Sequence, residues 1–264
     1  MCRAADEPQL PVFPHARARS RRPPMSQHAV LDSLSHRDLR VRTERSAALG
    51  DAVMACLVMP QEFRKAQAHY PIVFRRDAET GRFSALALFG FENGENLFLG
   101  ESGWDAGYVP LAHSIQPFLI GRTAIEDETP QVHVDFASAR IVQDREEGVR
   151  LFDEAGQPTP LLEEVAQDLG DLDAAFRASP AFFAALERHD LLEPFTLDVP
   201  LDDGSRHSLV GFHIVNEERL RALDGDALSD LQSGGHLLPL FMAVASVGRF
   251  SDLVARKNRR VAGA

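Results

Sequence analysis

The chain has 264 residues, 44% hydrophobic and 25% charged, the make-up of an ordinary globular protein with room for one large domain or two small ones. Its formal charge of −11 excludes a general affinity for DNA or RNA, which needs clustered Lys and Arg to neutralise phosphate. Two cysteines, Cys2 and Cys56, supply neither a disulfide framework nor a metal quartet.

Residues 1–24 hold five arginines and five prolines with no apolar periodicity. A secretory signal needs roughly 7–15 consecutive apolar residues, and this stretch has no such run. It reads as a disordered leader, or as an upstream start taken in error for Met25. Residues 25–264 are then expected to form one domain. Without a secretory signal the expected location is the cytoplasm, with signal-independent export to the cell surface as the alternative.

From residue 51 to 142 the pattern predicts mostly strands. Residues 52–59 and 72–74 are short apolar runs on either side of a helix at 60–69, with Pro60 in its first turn where the missing N–H costs nothing. Cys56 falls in the first run and reads as a buried, inert thiol. Residues 83–91 and 96–99 flank Asn93-Gly94, a dipeptide suited to a hairpin turn. Val132, Val134 and Phe136 alternate with His133 and Asp135, as on a half-buried strand, and 139–142 continues or pairs with it.

After Asp144 the period becomes helical. Thr159-Pro160 is a start signal, followed by Leu161, Leu162, Val165, Leu169, Leu172 and Phe176 at helical spacing. Ser179-Pro180 repeats that signal and predicts a second helix to His189. Residues 195–201 and 208–215 read as a hairpin around Asp202-Asp203-Gly204. Asn216 caps a further helix, with Glu217 and Glu218 suited to its dipole. Another opens at Asp226 and stops at Gly234-Gly235, and a last helix, basic at its end, runs from 237 to about 256. The most apolar stretch, 237–247, contains Pro239 and falls short of the ~20 residues that a spanning helix needs. The fold class is therefore α+β: a β-rich N-terminal half with hairpins, then a helical C-terminal half holding one late hairpin. The weakest junction is 143–158.

A series of phrases runs through these elements: Glu62-Phe63, Tyr70-Pro71-Ile72-Val73-Phe74, Gly94-Glu95-Asn96-Leu97-Phe98, Gly107-Tyr108-Val109-Pro110, Leu151-Phe152-Asp153, and Gly211-Phe212 leading to Val215-Asn216-Glu217-Glu218. Their order and spacing resemble the bacterial SapC family over roughly residues 31–260. The resemblance implies a non-catalytic binding or assembly protein linked to the surface layer or envelope. It also leaves an alternative, a cytoplasmic accessory enzyme or substrate-binding protein working with oxygenases or halogenases. A peptide-transporter permease bearing the same name needs several membrane spans, which the hydropathy pattern does not supply.

Two constellations carry chemistry. On a strand, His133 and Asp135 face one side and form the pair that, with a distant His207 or His213, builds an Fe(II) facial triad; Arg219 or Arg221 would then hold an acidic cosubstrate. The competing reading, which we favour, is a structural His on the solvent side of a strand with no metal. The second constellation is Trp104, Tyr108 and His113, in and just after a loop with Gly100, Gly103 and Gly107. Aromatics in such a loop line a ligand pocket or plug the core beneath it. No G-x-S-x-G, G-x-x-x-x-G-K-[ST] or H-E-x-x-H occurs. Between 126 and 173, fourteen acidic residues face only Arg140, Arg145 and Arg150. That stretch reads as solvated surface, or as a docking face for a basic partner; a calcium loop pattern is absent. The expected partners are a protein or small molecule, and a homo-oligomer is compatible. A chain starting at Met25 should match the full chain within about 0.5 kcal/mol in urea denaturation, and a clearly earlier midpoint would contradict the inert leader.

Overall fold

The computed structural model describes residues 28–122, 130–142 and 147–263. The leader and the acidic positions 126–128, 144 and 146 lie outside them. The described chain begins with β1 (His28–Val30) and β2 (Arg40–Val41), then β3 (Ala55–Leu57) and a 3-10 turn, Pro60–Glu62, that runs into α1 (Phe63–Ala66). Next come β4 (Ile72–Arg76), β5 (Phe83–Leu88), the two-residue strands β6 (Leu99–Gly100) and β7 (Gly103–Trp104), and α2 (Leu111–Ser114). Strands β8 (Phe118–Arg122), β9 (Pro130–Asp135), β10 (Ile141–Val142) and β11 (Val149–Arg150) precede the long α3 (Pro160–Arg188). The hairpin β12 (Leu192–Pro200) and β13 (Arg206–Val215) leads to α4 (Glu217–Arg221), α5 (Gly225–Ser233), α6 (Leu237–Ser246) and α7 (Arg249–Val261). This is the α+β arrangement expected from the change of period.

The main sheet is antiparallel, in the order β12-β13-β4-β5-β3, so the late hairpin returns to pair with strands laid down more than a hundred residues earlier. Both faces of its centre are buried: Ile72 and Phe74 lie on one side and Val73, Leu86 and Leu88 on the other, all within a larger core that includes Phe182, Leu186, Leu240 and Leu253. Opposite Thr196, β13 inserts an extra residue, and Gly211 takes the positive φ of 85° that this bulge requires. A smaller core (Val41, Ile115, Phe118, Val134, Leu151, Phe152, Leu162, Val165, Leu169) is built around the sheets β1-β9-β8 and β10-β2-β11.

Helix α3 joins the two cores. Its first half buries Leu162, Val165 and Leu169 in the smaller one, and its second half buries Phe182, Ala185 and Leu186 in the larger. The predicted restart at Ser179-Pro180 does not occur. Pro180 lies inside a single 29-residue helix, where its missing N–H leaves the Phe176 carbonyl without the usual donor. The Ser179 hydroxyl donates to that carbonyl at 2.8 Å, and packing on both sides carries the helix through. Thr159 precedes the helix in extended conformation, but its hydroxyl donates to the carbonyls of Arg150 and Leu151 rather than capping.

Other boundaries move for local reasons. Gly94 takes the expected positive φ of 83°, yet 96–99 does not return as a strand beside β5. The Glu95 carboxylate instead accepts the Phe91 N–H at 2.9 Å, and the Asn96 side chain binds the Phe98 N–H and the Asp51 carbonyl. Gly90 makes this possible, because a Cβ there would lie 2.9 Å from the Glu95 carbonyl oxygen. Residues 141–142 pair with β2, not β9. Asn216 caps α4 as expected, whereas α5 is capped by Asp224, two residues earlier than predicted. By length and composition the stretch Leu237–Val261 is apolar enough to cross a membrane. It breaks between α6 and α7 and buries Leu240, Ala243, Phe250 and Leu253 in the larger core.

If α3 couples the cores, truncations at its two ends should shift one common transition. Leu186→Ala and Leu169→Ala are each expected to cost about 2–5 kcal/mol in denaturant unfolding, with far-UV dichroism and Trp104 fluorescence moving together; separate transitions for the two variants would show independent units.

Candidate functional site

Asp51 stands at the root of the site. Gly50, with φ of 92°, ends the short 3-10 turn Ala47–Leu49 and turns the chain so that the fully buried Asp51 carboxylate points back to it. Ser46 donates its backbone N–H to Oδ2 at 2.7 Å. Arg140 places Nη2 at 2.7 Å from both oxygens, and His113 Nε2 lies at 2.8 Å from Oδ1. Arg45 adds a longer contact at 3.3 Å and also donates to the carbonyls of His113 and Ser114. Burial alone would raise the Asp51 pKa, but the His113 hydrogen bond and the charges of Arg140 and Arg45 outweigh it and hold it at about 2.

A second carboxylate organises the aromatic loop. Glu62, also buried, accepts the Met59 N–H at 2.8 Å, the Leu111 N–H at 2.9 Å and the Tyr108 hydroxyl at 2.5 Å. Trp104 donates its indole N–H to the Tyr70 hydroxyl at 2.8 Å, and that hydroxyl donates to the Tyr108 carbonyl. The rings of Trp104 and His113 are 5.2 Å apart, and Phe89 meets Trp104 edge-on at 5.0 Å. Burial, followed by the Glu62 hydrogen bond, raises the Tyr108 hydroxyl far above its ordinary value, and burial also raises Tyr70. Helix α7 fastens the same segment from outside. Lys257 binds Glu92 and, at 2.6 Å, Glu95; Arg260 donates to the carbonyls of Asn96 and Leu99; Arg256 lies over the Phe98 ring.

The structure thus brings Trp104, Tyr108 and His113 together, with Trp104 and Tyr108 half-buried and His113 enclosed. Their polar atoms are engaged by Tyr70, Glu62 and Asp51. The other constellation is dispersed: His133 and Asp135 lie on β9, and His213 lies on β13 in a different sheet. The His133 ring covers Gly121 of the neighbouring strand, where a Cβ would meet its Nε2 at 1.9 Å, and neither ring nitrogen has a hydrogen-bond partner. Asp135 accepts the Ala137 N–H, and His213 packs edge-on against Phe83. Among the described residues no group of three or more His, Cys, Asp or Glu is placed to hold a metal ion. Cys56 is half-buried, with burial pushing its thiol up to about 12.

Two adjoining cavities open over this network along the flank of α3. One, of about 190 Å³, is lined by Arg45, Arg140 and Ser114 on one side and by Leu161, Glu164, Val165 and Asp168 of α3 on the other. The second, of about 420 Å³, is lined by Glu62, Lys65, Tyr108 and Leu111 facing Asp168, Asp171 and Ala175. Asp168 belongs to both. Burial, then Glu164 and Asp171 beside it, raises its pKa. A larger groove of about 570 Å³ lies between α1, the end of α3 and α6; its lining is mainly apolar, with Ala178, Phe182, Leu238 and Met242, and Gln61, Arg64 and His236 supply its polar side chains. The cleft along α3 holds the better donor and acceptor set. The aromatic loop singled out in the sequence places Tyr108 at the cleft's edge and His113 in the network behind it. Sequence reasoning missed Asp51, Arg140, Glu62 and Asp168, although Glu62-Phe63 was among the phrases that carried the resemblance.

A model of the SapC family matches residues 31–253, and the chain belongs to that family. No curated protein and no solved structure matches it.

The acid limb of the stability curve tests the role of Asp51. Its folded pKa is depressed, so its contribution is complete above the ordinary value of 3.8 and is lost as pH falls towards about 2. Asp51→Asn should flatten that limb and, by leaving two guanidiniums without their counter-ion, cost about 3–5 kcal/mol at neutral pH. Urea titrations at several pH values check both effects; an unchanged acid limb would remove Asp51 from the centre of the network.

Proposed function

We propose that this SapC-family protein is a non-catalytic binding or assembly protein linked to the cell envelope, with the cleft along α3 as its ligand-facing surface. One observation carries the non-catalytic reading. A general acid or base works best with a pKa near the working pH. The groups that form the cleft root are displaced the other way, Asp51 down to about 2 and Tyr70 and Tyr108 upward, while Asp168, raised by burial and by Glu164 and Asp171, stands on the facing wall. Their hydrogen bonds run inward to one another, so they brace the cleft wall. The wall is consequently rigid, and rigid walls favour recognition because little ordering entropy is lost when a ligand binds.

The link to the envelope rests on the resemblance that the sequence phrases carry. It is tested by fractionating cells of the source organism and by mixing purified protein with isolated envelope sheets. Cosedimentation with the sheets is expected, together with a protein signal in the envelope fraction. Protein confined to the cytosolic fraction, with no cosedimentation, would overturn the envelope assignment.

A further inference from the structure

The smaller cavity over the Asp51 network has walls of opposite charge that do not touch. On one wall the guanidiniums of Arg45 and Arg140 share a single carboxylate, so the buried cluster carries an excess positive charge. Arg140, 1% exposed, still has its Nε without an acceptor. Arg45 and Arg140 both line the cavity. On the other wall, Glu164 and Asp168 of α3 line the same space; neither forms an ion pair among the described residues, and Lys65 of the adjoining cavity acts on Asp168 only through its charge, beyond ion-pair distance. Arg42, also at the rim, is already paired with Glu147.

An unbalanced charge beside a cavity is a standing demand for a counter-ion, because the attraction is screened less there than in open water. Here one wall demands an anion and the facing wall demands a cation. Two separate ions would each have to be desolvated and would lose their freedom separately. A single molecule bearing both charges meets both demands at once. The volume, about 190 Å³, lies below the ~300 Å³ lower end of pockets for drug-sized ligands. That limits the occupant to a few non-hydrogen atoms.

The geometry points to a small zwitterion, a free α-amino acid, as the ligand of this cavity, with its carboxylate toward Arg45 and Arg140 and its ammonium toward Glu164 and Asp168. This assignment rests on the reading of the α3 cleft as a binding surface and names its ligand class. A guanidinium suits a carboxylate as a charge-assisted donor; here Arg140 offers its one free Nε–H, and Arg45 the N–H groups that Asp51 and the His113 and Ser114 carbonyls leave. The carboxylates of Glu164 and Asp168, four residues apart on one helix face, suit an ammonium that can donate to both.

Calorimetric titration of the full chain with the twenty common L-amino acids tests the proposal, with propanoate and ethylamine as single-charge controls. At least one amino acid should bind saturably, and both controls at least tenfold more weakly. Glu164→Gln, at an exposed helix position that does not burden folding, should weaken the amino acid about tenfold, the loss of one charge-assisted hydrogen bond. Asp168→Asn should do the same. Propanoate bound as tightly as the amino acid would make this an anion site and overturn the zwitterion. Amino-acid binding untouched by Glu164→Gln and Asp168→Asn would place the ligand elsewhere and also overturn it. If no amino acid binds while the protein still cosediments with envelope sheets, only the ligand class fails; if both fail, the binding reading fails with it.

Discussion

The Asp51 carboxylate is the constraint on which the remaining architecture depends. A buried carboxylate is tolerated only when its charge is matched and its lone pairs are filled. Asp51 achieves this by drawing on chain segments far apart in sequence: Ser46 and Arg45 beside it, His113 from α2, and Arg140 just before β10. Its own carbonyl accepts from Asn96. The geometry of Arg140 admits little slack, since its Nη1 donates to the carbonyls of Arg42 and Glu44. Five parts of the fold therefore meet at one residue: the N-terminal turn, the aromatic loop, α2, the smaller core and the cleft beside α3. Removing one partner would strand the others in a poorly solvated place, which is why such a cluster specifies one arrangement more strongly than it adds stability.

Glu62 repeats this logic on a smaller scale. It collects two backbone N–H groups and the Tyr108 hydroxyl, so the 3-10 turn, the aromatic loop and the start of α2 are tied at a second carboxylate. The phrases that mark the family along the chain now have physical meanings. Glu62 holds Tyr108; Tyr70 links Trp104 to the Tyr108 carbonyl; Asn96 ties its turn to Asp51; Gly211 permits a bulge; Asn216 caps a helix. They are joints of the fold, and two of them form one edge of the cleft.

Local signals were legible where a residue acts on its own neighbours. The alternation of 132–136, the turn at Asp202-Asp203-Gly204 and the cap at Asn216 each involve contacts within a few residues, and each appears where expected. Elements whose outcome is decided by distant partners were not legible. Ser179-Pro180 has the form of a helix start, but burial of Phe182 and Leu186 in one core and Leu169 in the other keeps the helix continuous. Asn93-Gly94 has the form of a hairpin turn, but Glu95, Asn96 and Lys257 claim the returning segment for other partners. The Asp51–Arg140 pair spans 89 residues. No period or short motif announces a contact of that kind.

The same separation of local from distant accounts for where the proposed ligand site falls in this molecule. The aromatic side chains that stood out in the sequence have their polar tips turned inward, so they contribute shape and stiffness to the cleft. The charge left to meet the proposed ligand lies instead with residues that stood out less, because each is unremarkable alone. Arg45 and Arg140 become a site only when Asp51 binds both and balances one; Glu164 and Asp168 become a site only when α3 holds them across a gap from that cluster. Helix α3 can hold that position because its far half is anchored in the larger core. A wall fixed by buried apolar contacts at one end and facing a buried charge cluster at the other keeps opposite charges apart without letting them collapse into an ion pair, and that separation leaves room for a ligand between them.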